Sequence, residues 1–268
     1  MRSRIRLGLA LLAAMLLLAL VGPLIAPDPN LQPALADGTL AAPSAAHWLG
    51  TDQFSRDVFA RLAHGARASL TVAAIAVSVA AALGMLLGLL AGMAGPLIGG
   101  ALRRLIDISL ALPRVVVLLV LLATAGTLPL PLFALVLGLT GWPPLARLVR
   151  GETLRLRHAP FVEAARALGA DPRRIALRDI LPGAVPPLLV ASALGAADAI
   201  LLEAGLSFLG LGIQPPAPSW GGMLLEARDS LGTAPWLLLA PGLALVLATA
   251  TATLLGDALR RSLNPDQQ

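Results

Sequence analysis

The sequence predicts an all-α membrane protein, a bundle of six transmembrane helices, on the basis of three observations. Hydrophobic residues make up 57% of the 268 residues and charged residues only 13%, a balance that a water-soluble surface does not allow. Six predominantly apolar runs are long enough to cross a bilayer core of about 30 Å. The basic residues fall mostly on one side of those runs. Water-soluble enzyme folds are therefore disfavoured.

The six runs are expected to be helices. They cover residues 7–26, 68–93, 106–128, 130–148, 184–206 and 236–255. Lipid offers no hydrogen-bond partners to the backbone, and no run alternates as the strands of a barrel do. The proline-containing turn at 127–131 ends the third run, so the third and fourth form a hairpin. Residues 27–64, rich in Pro, Ala and Asp, are predicted to form an ordered loop on the outer face.

The arginines orient this bundle. All 20 basic residues are Arg. When the N-terminus is placed inside, fifteen of them fall on the inner side, Arg114 lies near the inner end of the third run, and four fall outside: Arg56, Arg61, Arg67 and Arg228. The positive-inside bias therefore predicts that both termini are cytoplasmic. The net charge of +5 then reflects the inner membrane surface, and no nucleic-acid partner is expected.

The first run has one alternative interpretation, a cleaved signal peptide. It has a basic start, and Ala34-Leu35-Ala36 resembles a cleavage site. However, its apolar stretch of about twenty residues exceeds the roughly 7–15 of a signal peptide, and the candidate cleavage site lies well beyond it. A retained anchor is preferred.

The inner segment 147–182 is much longer than a turn between two helices requires. Residues 163–168 are strong helix formers, Gly169 suits a left-handed C-terminal position, and Asp171-Pro172 reads as an N-cap followed by Pro at the first helical position. Pro182 is expected to stop the second helix. The apolar residues expected to face a partner are Ala164, Ala165, Leu168, Ile175 and Leu177. Physical reasoning alone leaves lipid and protein equally open as that partner.

This segment resembles the EAA loop of permease subunits of ATP-binding-cassette (ABC) importers. That pattern reads Glu-Ala-Ala, three residues, Gly, nine residues, Ile, one residue, Leu-Pro. The matching positions here are Glu163, Ala164, Ala165, Gly169, Leu181 and Pro182. Asp179 stands where the pattern has Ile, a departure at one apolar docking position.

Two further motifs extend the resemblance over almost the whole chain, to the dipeptide, oligopeptide and nickel branch of these importers. Residues 49–58, Leu-Gly-Thr-Asp-Gln-Phe-Ser-Arg-Asp-Val, resemble its external signature after the first span. Residues 202–216 and 218–221 resemble its fifth span and the loop that follows. Three motifs in the same order are far more specific than one.

The resemblance implies a type I ABC importer permease fold in the inner membrane. It divides the chain into an N-terminal transmembrane helix (1–26), an external loop (27–66), a permease domain (67–260) with a coupling loop (147–182), and a cytoplasmic tail (261–268). It implies a homologous second permease, forming a heterodimer, two ATP-binding subunits that dock on the EAA loop, and an external solute-binding protein. Peptides, nickel complexes and related small solutes are the implied substrates.

Ionisable residues within the runs are costly unless they face water or a partner. Asp198 and Glu203 are five residues apart, offset by about 140° on a helix, so they do not form a two-carboxylate ion site. For Asp198, a contact with another helix is preferred to a pathway-lining role, and for Glu203 an interhelical or partner contact is preferred to catalysis. Asp257 is expected to be solvated or to pair with Arg260 or Arg261.

Two other patterns allow two interpretations each. Gly84, Gly88 and Gly92 lie on one helix face and permit close helix approach, either within the bundle or with a second permease chain. The prolines at 215, 216 and 218 favour a rigid extended segment, in which Trp220 either lies at the headgroup level or contacts the delivery protein.

The motifs that this sequence lacks argue against a metal site, a nucleotide-binding site and a catalytic site in this chain. There is no Cys, and His47, His64 and His158 are too dispersed to form a metal pair. There is no P-loop, so any ATPase belongs to another polypeptide, and no catalytic constellation or cofactor is expected in this chain. A stand-alone ion-coupled secondary transporter, with its ion at Asp198 or Glu203, is the alternative, but the internal repeat typical of that class is not evident. A membrane-embedded enzyme would need paired catalytic residues, which are absent.

Overall fold

The computed structural model describes residues 2–32 and 38–263, and these residues are predominantly helical. The α-helices, in chain order, are α1 (Arg2–Leu20), α2 (Gly22–Ile25), α3 (Val58–Met93), α4 (Pro96–Ala111), α5 (Arg114–Ala125), α6 (Leu130–Leu156), α7 (Pro160–Ala167), α8 (Pro172–Arg174), α9 (Leu181–Phe208), α10 (Trp220–Ala227) and α11 (Trp236–Leu263). A π-helical turn, Ile175–Ile180, joins α8 to α9, and a short 3₁₀ turn follows α10.

Five segments of the described chain are long and apolar enough to cross a membrane. They are Ile5–Ile25, Val58–Met93, Leu130–Leu156, Pro172–Phe208 and Trp236–Leu263, which confirms five of the six predicted runs. Four of them extend well beyond the prediction. α3 begins inside the stretch predicted as an outer loop, and α6 continues into the predicted inner loop. The segment that ends at Phe208 begins at Pro172 instead of residue 184, and α11 continues to Leu263 instead of ending at residue 255. The candidate cleavage site at 34–36 and the last five residues of the tail lie outside the described residues.

The third predicted run is not one straight helix. The chain between α4 and α5 bends by 82°, although the two helices together are apolar enough for a sixth crossing. The break lies at Leu112, which is extended (φ −83°, ψ 129°), because the ring of Pro113 disfavours the helical conformation of the residue before it. Arg114 Nη2 donates to the carbonyl of Leu137 at 2.9 Å and so ties the start of α5 to α6. The prediction of a continuous helix over 106–128 is therefore wrong.

Pro182 does not end the second helix of the inner segment, contrary to the expectation from the sequence. Pro172–Phe208 is continuously helical, with Pro182 in the first turn of α9. The π-helical turn explains this continuity, because it shifts the hydrogen bonds by one residue just before the proline. The amide of Leu181 donates to the carbonyl of Ala176, five residues back. Pro182 has no amide hydrogen to donate, and it is accommodated here because it follows directly on the turn where the hydrogen bonds change from π-helical to α-helical spacing.

The described chain forms two compact units. The first unit consists of Met1–Ile75, Leu119–Ala134 and Ala196–Leu255. Trp220 is fully buried in it, and its indole Nε1 donates to the carbonyl of Leu62 at 3.2 Å. Both interpretations of Trp220 from the sequence, headgroup anchor and docking residue, are therefore wrong. Ser219 caps α10 by accepting from the amide of Gly222 at 3.1 Å, and the helix that begins there turns the indole inward.

The second unit consists of Ala76–Leu118, Leu135–Gly195 and Gly256–Gln268. Its interior is built on the close approach of α3 to α6 along the glycine face predicted from the sequence. A Cβ atom on Gly88 would lie 2.6 Å from the carbonyl oxygen of Ala146 and 2.7 Å from Cβ of Val149. Gly84 and Gly92 meet Leu145 and Thr153 in the same way. These glycines therefore pack within this chain, as the first of the two interpretations holds.

Gly88→Leu tests this packing. The added side chain has no room between α3 and α6, so we expect a loss of about 1–3 kcal/mol in the free energy of unfolding, measured as a lower thermal midpoint in detergent. Gly151→Leu is the matched control, because Gly151 lies on α6 and a Cβ at that position would have no neighbour within 4 Å. Equal midpoints for the two variants would contradict the packing argument.

Candidate functional site

Residues 160–180, which we call the elbow, form a sharp bend after α6. Helix α7 begins at Pro160, and its C-terminus is closed by two hydrogen bonds: Gly169 N–H donates to the Arg166 carbonyl and Ala170 N–H to the Ala165 carbonyl, both at 3.0 Å. This pairing is the Schellman motif, which requires a left-handed residue after the helix. Gly169 supplies it with φ of +81°, as the sequence predicted.

The second half of the elbow starts as the sequence indicated. The side chain of Asp171 accepts a hydrogen bond from the amide of Arg173 at 3.0 Å, and Pro172 occupies the first helical position. An aspartate cap followed by proline satisfies the free amides and preorganises the first turn. The prediction of a helix, a glycine break and a new helix is thus confirmed, apart from where the second helix ends.

The inner side of the elbow is apolar and buried. Val162, Ile175 and Ile180 pack with Leu156 of α6 in one cluster, and all four are nearly inaccessible to solvent. The expectation that Ile175 faces a partner is therefore wrong. The cause is the reversal of chain direction at Gly169, after which the π-helical turn Ile175–Ile180 packs against α7. This cluster fixes the elbow to the end of α6.

The outer side of the elbow carries an exposed apolar tip. Leu168 is 89% exposed, Leu177 59% and Phe161 52%. Ala164 is also exposed and Ala165 partly so. The exposed charged residues of the elbow are Glu163, Arg166, Asp171, Arg173, Arg174 and Arg178. Large apolar side chains ringed by charge are typical of a protein interaction surface.

The end of the elbow accounts for the one departure from the EAA pattern. Asp179 is only partly exposed, whereas the next residue, Ile180, is fully buried. The π-helical turn adds one residue to this turn, so the inward position falls on Ile180. Leu181 is partly buried and Pro182 exposed.

A buried ionic cluster in the first unit is a feature that the sequence did not reveal. Arg56 Nε lies 2.6 Å from Asp52 Oδ2, and its Nη2 lies 2.5 Å from Glu226 Oε2. Arg61 contacts the same two carboxylates, at 2.9 Å from Glu226 and 3.4 Å from Asp52. Asp52 also accepts from the amides of Phe54 and Arg56. The motif at residues 49–58 was recognised from the sequence as a family signature, but nothing in the sequence indicated that Glu226 pairs with its charged residues.

Asp198 and Glu203 lie in different surroundings. Asp198 is exposed, whereas Glu203 is fully buried, and its Oε1 accepts a hydrogen bond from Ser207 Oγ at 2.8 Å. Ser69 and Ser219 lie near the Glu203 carboxylate, and its Oε2 is buried with no hydrogen-bond partner among the described residues. Among the residues that the structure describes, no group of three or more His, Asp or Glu residues could hold a metal ion.

Two other carboxylates pair with arginines near helix ends. Asp257 Oδ2 lies 3.8 Å from Arg261 Nη2, one of the two pairings expected from the sequence. Asp107 Oδ1 lies 2.8 Å from Arg147 Nη2, and Asp107 Oδ2 lies 3.6 Å from Arg103 Nε. All three ion pairs are about half exposed, so each contributes little to stability.

The chain combines several apolar spans with an exposed apolar elbow between two of them, which are features of a multi-pass membrane protein that contacts a partner. Residues 84–268 match the family described as the binding-protein-dependent transport system inner membrane component, and the chain belongs to that family. It is accordingly a multi-pass inner-membrane protein and a permease subunit of an ABC importer.

Individual relatives agree with this assignment. The chain is 42% identical to a Brucella suis biovar 1 protein named as a peptide permease, over 96% of this chain and 85% of that protein. It is 38% identical to a dipeptide transport system permease protein of Alkalihalophilus pseudofirmus, over 96% and 84%. It is 40% identical to a glutathione transport system permease protein of Pectobacterium atrosepticum, over 83% and 74%.

A solved structure supports the fold. The inward-facing MetNI methionine ABC transporter contains a chain that superposes with a TM-score of 0.62, covering 76% of this chain and 96% of that one, at 19% identity. The type I importer permease fold is therefore confirmed.

The ionic cluster generates a stability prediction. Glu226→Gln leaves two buried guanidinium groups with one carboxylate, and we expect a loss of about 3 kcal/mol in the free energy of unfolding, measured by thermal denaturation in detergent. The control is Asp229→Asn, which removes the exposed Arg228–Asp229 pair and should leave the midpoint unchanged. A Glu226→Gln midpoint equal to that of the control would show that the cluster does not stabilise the unit.

Proposed function

We propose that this chain forms half of the translocation pathway of an ATP-driven importer of peptides or of glutathione-like solutes. The second half is a homologous permease chain, giving a heterodimer, and an external solute-binding protein delivers the solute. The names of the relatives, which refer to peptides, dipeptides and glutathione, support this substrate class. The chain binds no cofactor of its own, and ATP is hydrolysed by two partner subunits.

The elbow is the proposed docking site for one ATP-binding subunit, and its exposed apolar tip is the observation that carries this proposal. Leu168 is 89% exposed, a costly arrangement in water that a complementary apolar groove would relieve. Glu163, Ala164 and Ala165 lie on α7 beside the tip and complete the contact. The arginines around the tip favour an acidic rim on the partner.

The proposed transmission of force follows from how the elbow is attached. Its inner side is fixed to Leu156 at the end of α6, and its second half continues without a break through Leu181 and Pro182 into α9. A displacement of the tip would therefore be carried into two long helices, α6 and α9. Gly169 sets the angle between α7 and α8, since its left-handed conformation closes the Schellman motif.

We assign different roles to the two carboxylates of α9. The exposed Asp198 is a candidate pathway residue, because an ionisable side chain within a span is tolerated where it faces water or a polar partner. The buried Glu203, held by Ser207, is assigned to interhelical packing. In the proposed orientation both termini are cytoplasmic, as the arginine distribution favours.

The transport proposal is tested in liposomes that contain the permease pair, its ATP-binding subunits and a solute-binding protein. Uptake of a labelled dipeptide should require ATP inside and should persist when ionophores collapse the ion gradients. Uptake that needs no ATP and stops with ionophores would instead indicate a secondary transporter.

In this assay Gly169→Val should uncouple hydrolysis from transport. A β-branched residue in the left-handed region costs about 1–3 kcal/mol, so the elbow adopts another angle. We expect uptake per ATP hydrolysed to fall at least about tenfold, with insertion into the membrane retained. Gly151→Val makes the same chemical change at an exposed helical glycine of α6 and serves as control. Unaltered uptake by Gly169→Val would refute the proposed role of the elbow.

The orientation is tested by cysteine labelling, which is direct because the chain contains no Cys. Leu168→Cys at the elbow, expressed without the ATP-binding subunits that would cover it, should react with a membrane-impermeant maleimide only after spheroplasts are lysed. Ala217→Cys, at an exposed position between α9 and α10, should react in intact spheroplasts and is the matched control. Labelling of Leu168→Cys in intact spheroplasts would invalidate both the orientation and the docking proposal.

A further inference from the structure

A cleft in the second unit opens between the end of α3, the start of α4 and the end of α6. It encloses about 320 Å³, far more than the roughly 30 Å³ share of one water molecule. Three arginines line it, Arg103, Arg150 and Arg157, and no carboxylate does. The cleft is separate from the apolar tip of the elbow and takes no part in the function proposed above.

The positive charge of the cleft is largely uncompensated. Arg150 Nε is buried and has no hydrogen-bond partner among the described residues. Arg157 is fixed by donating from Nη1 to the carbonyl of Gly92 at 3.0 Å, an interaction that leaves its charge unneutralised. Of the neighbouring carboxylates, Asp107 contacts Arg103 only at 3.6 Å and Arg147 at 2.8 Å, and Glu152 is paired with Arg155.

The N-terminus of α4 borders the same cleft. The first turn of this 16-residue helix borders it through Gly95, Pro96, Gly99 and Gly100. The positive end of the helix dipole favours an anion at this position. Gly95 and Gly100 have nothing within 4 Å of where a Cβ would stand, so a group of several atoms can approach the backbone closely.

The opposite face of α4 indicates where the cleft lies relative to lipid. At 100° per residue, Leu97, Ile98, Leu105 and Ile108 fall on the side away from the cleft, and all four are exposed. An exposed apolar helix face beside a cleft lined by arginines is typical of a helix at the membrane interface. The cleft is then at the depth of the phospholipid headgroups.

We propose that this cleft binds a phosphate group, carried by an anionic phospholipid headgroup or by a free phosphate. A phosphate accepts several charge-assisted hydrogen bonds at once, which suits two or three converging guanidinium groups and a helix N-terminus. Basic pockets between transmembrane helices on the cytoplasmic side are a known means of binding acidic headgroups. The ligand would satisfy Arg150 Nε and hold the ends of α3, α4 and α6 together.

The test is native mass spectrometry of the full chain, purified in detergent with the subunits that accompany it and titrated with phosphatidylglycerol. Arg150→Gln and Arg157→Gln should each weaken binding about fivefold, the effect of one cationic side chain near a headgroup. Gly100→Leu should abolish binding by filling the cleft, and leucine is a better helix former than glycine at that site. Gly151→Leu, outside the cleft, should bind as the unaltered chain does.

Competition by inorganic phosphate distinguishes the two sources. Displacement of phosphatidylglycerol by millimolar phosphate supports a free phosphate, and retention of the lipid supports a headgroup. Equal binding of phosphatidylcholine, unchanged binding by Gly100→Leu, or an equal loss in Gly151→Leu would each overturn the proposal. If the arginine variants fail to assemble, the comparison of Gly100→Leu with Gly151→Leu still decides it. None of these results depends on which solute is transported.

Discussion

The backbone of a chain in lipid must find its hydrogen-bond partners within the protein, and the architecture follows from that constraint. Helices satisfy it over most of the described residues, and two proline sites show how the chain is held where the helical pattern changes. Where Pro113 breaks the third crossing, Arg114 donates to the carbonyl of Leu137. Where Pro182 removes an amide, the π-helical turn has already shifted the pattern, with Leu181 bonded to Ala176.

The elbow combines two requirements that a docking element must meet. One side is fixed by apolar packing against the end of α6, so the element does not swing freely. The other side leaves Leu168 and Leu177 in water, which is stable only because the helical residues beneath them are held in place. A rigid base with an uncovered tip transmits displacement, whereas a loop attached only through its ends would absorb it.

The sequence predicted the conformation correctly where it depends on neighbouring residues. It did not predict contacts between residues that are far apart in the chain. The left-handed Gly169 and the Asp171-Pro172 cap were predictable because each acts within one helical turn. The burial of Trp220 and the pairing of Glu226 with Arg56 and Arg61 join positions more than 150 residues apart, and no periodicity encodes that. Pro113 itself indicated a bend, but the sequence on both sides of it is apolar, so a single continuous helix was predicted there.

The π-helical turn makes the direction of the elbow sensitive to chain length. Removing one residue from Ile175–Ile180 would restore ordinary α-helical spacing and rotate everything before it by about 100° around the axis of α9. Leu168 would then point elsewhere, although every exposed side chain kept its identity. Two permeases with the same exposed side chains but a one-residue difference in this turn would accordingly present different faces to the same ATP-binding subunit. The length of the turn, as well as the identity of the exposed residues, would then determine which ATP-binding subunit each permease accepts.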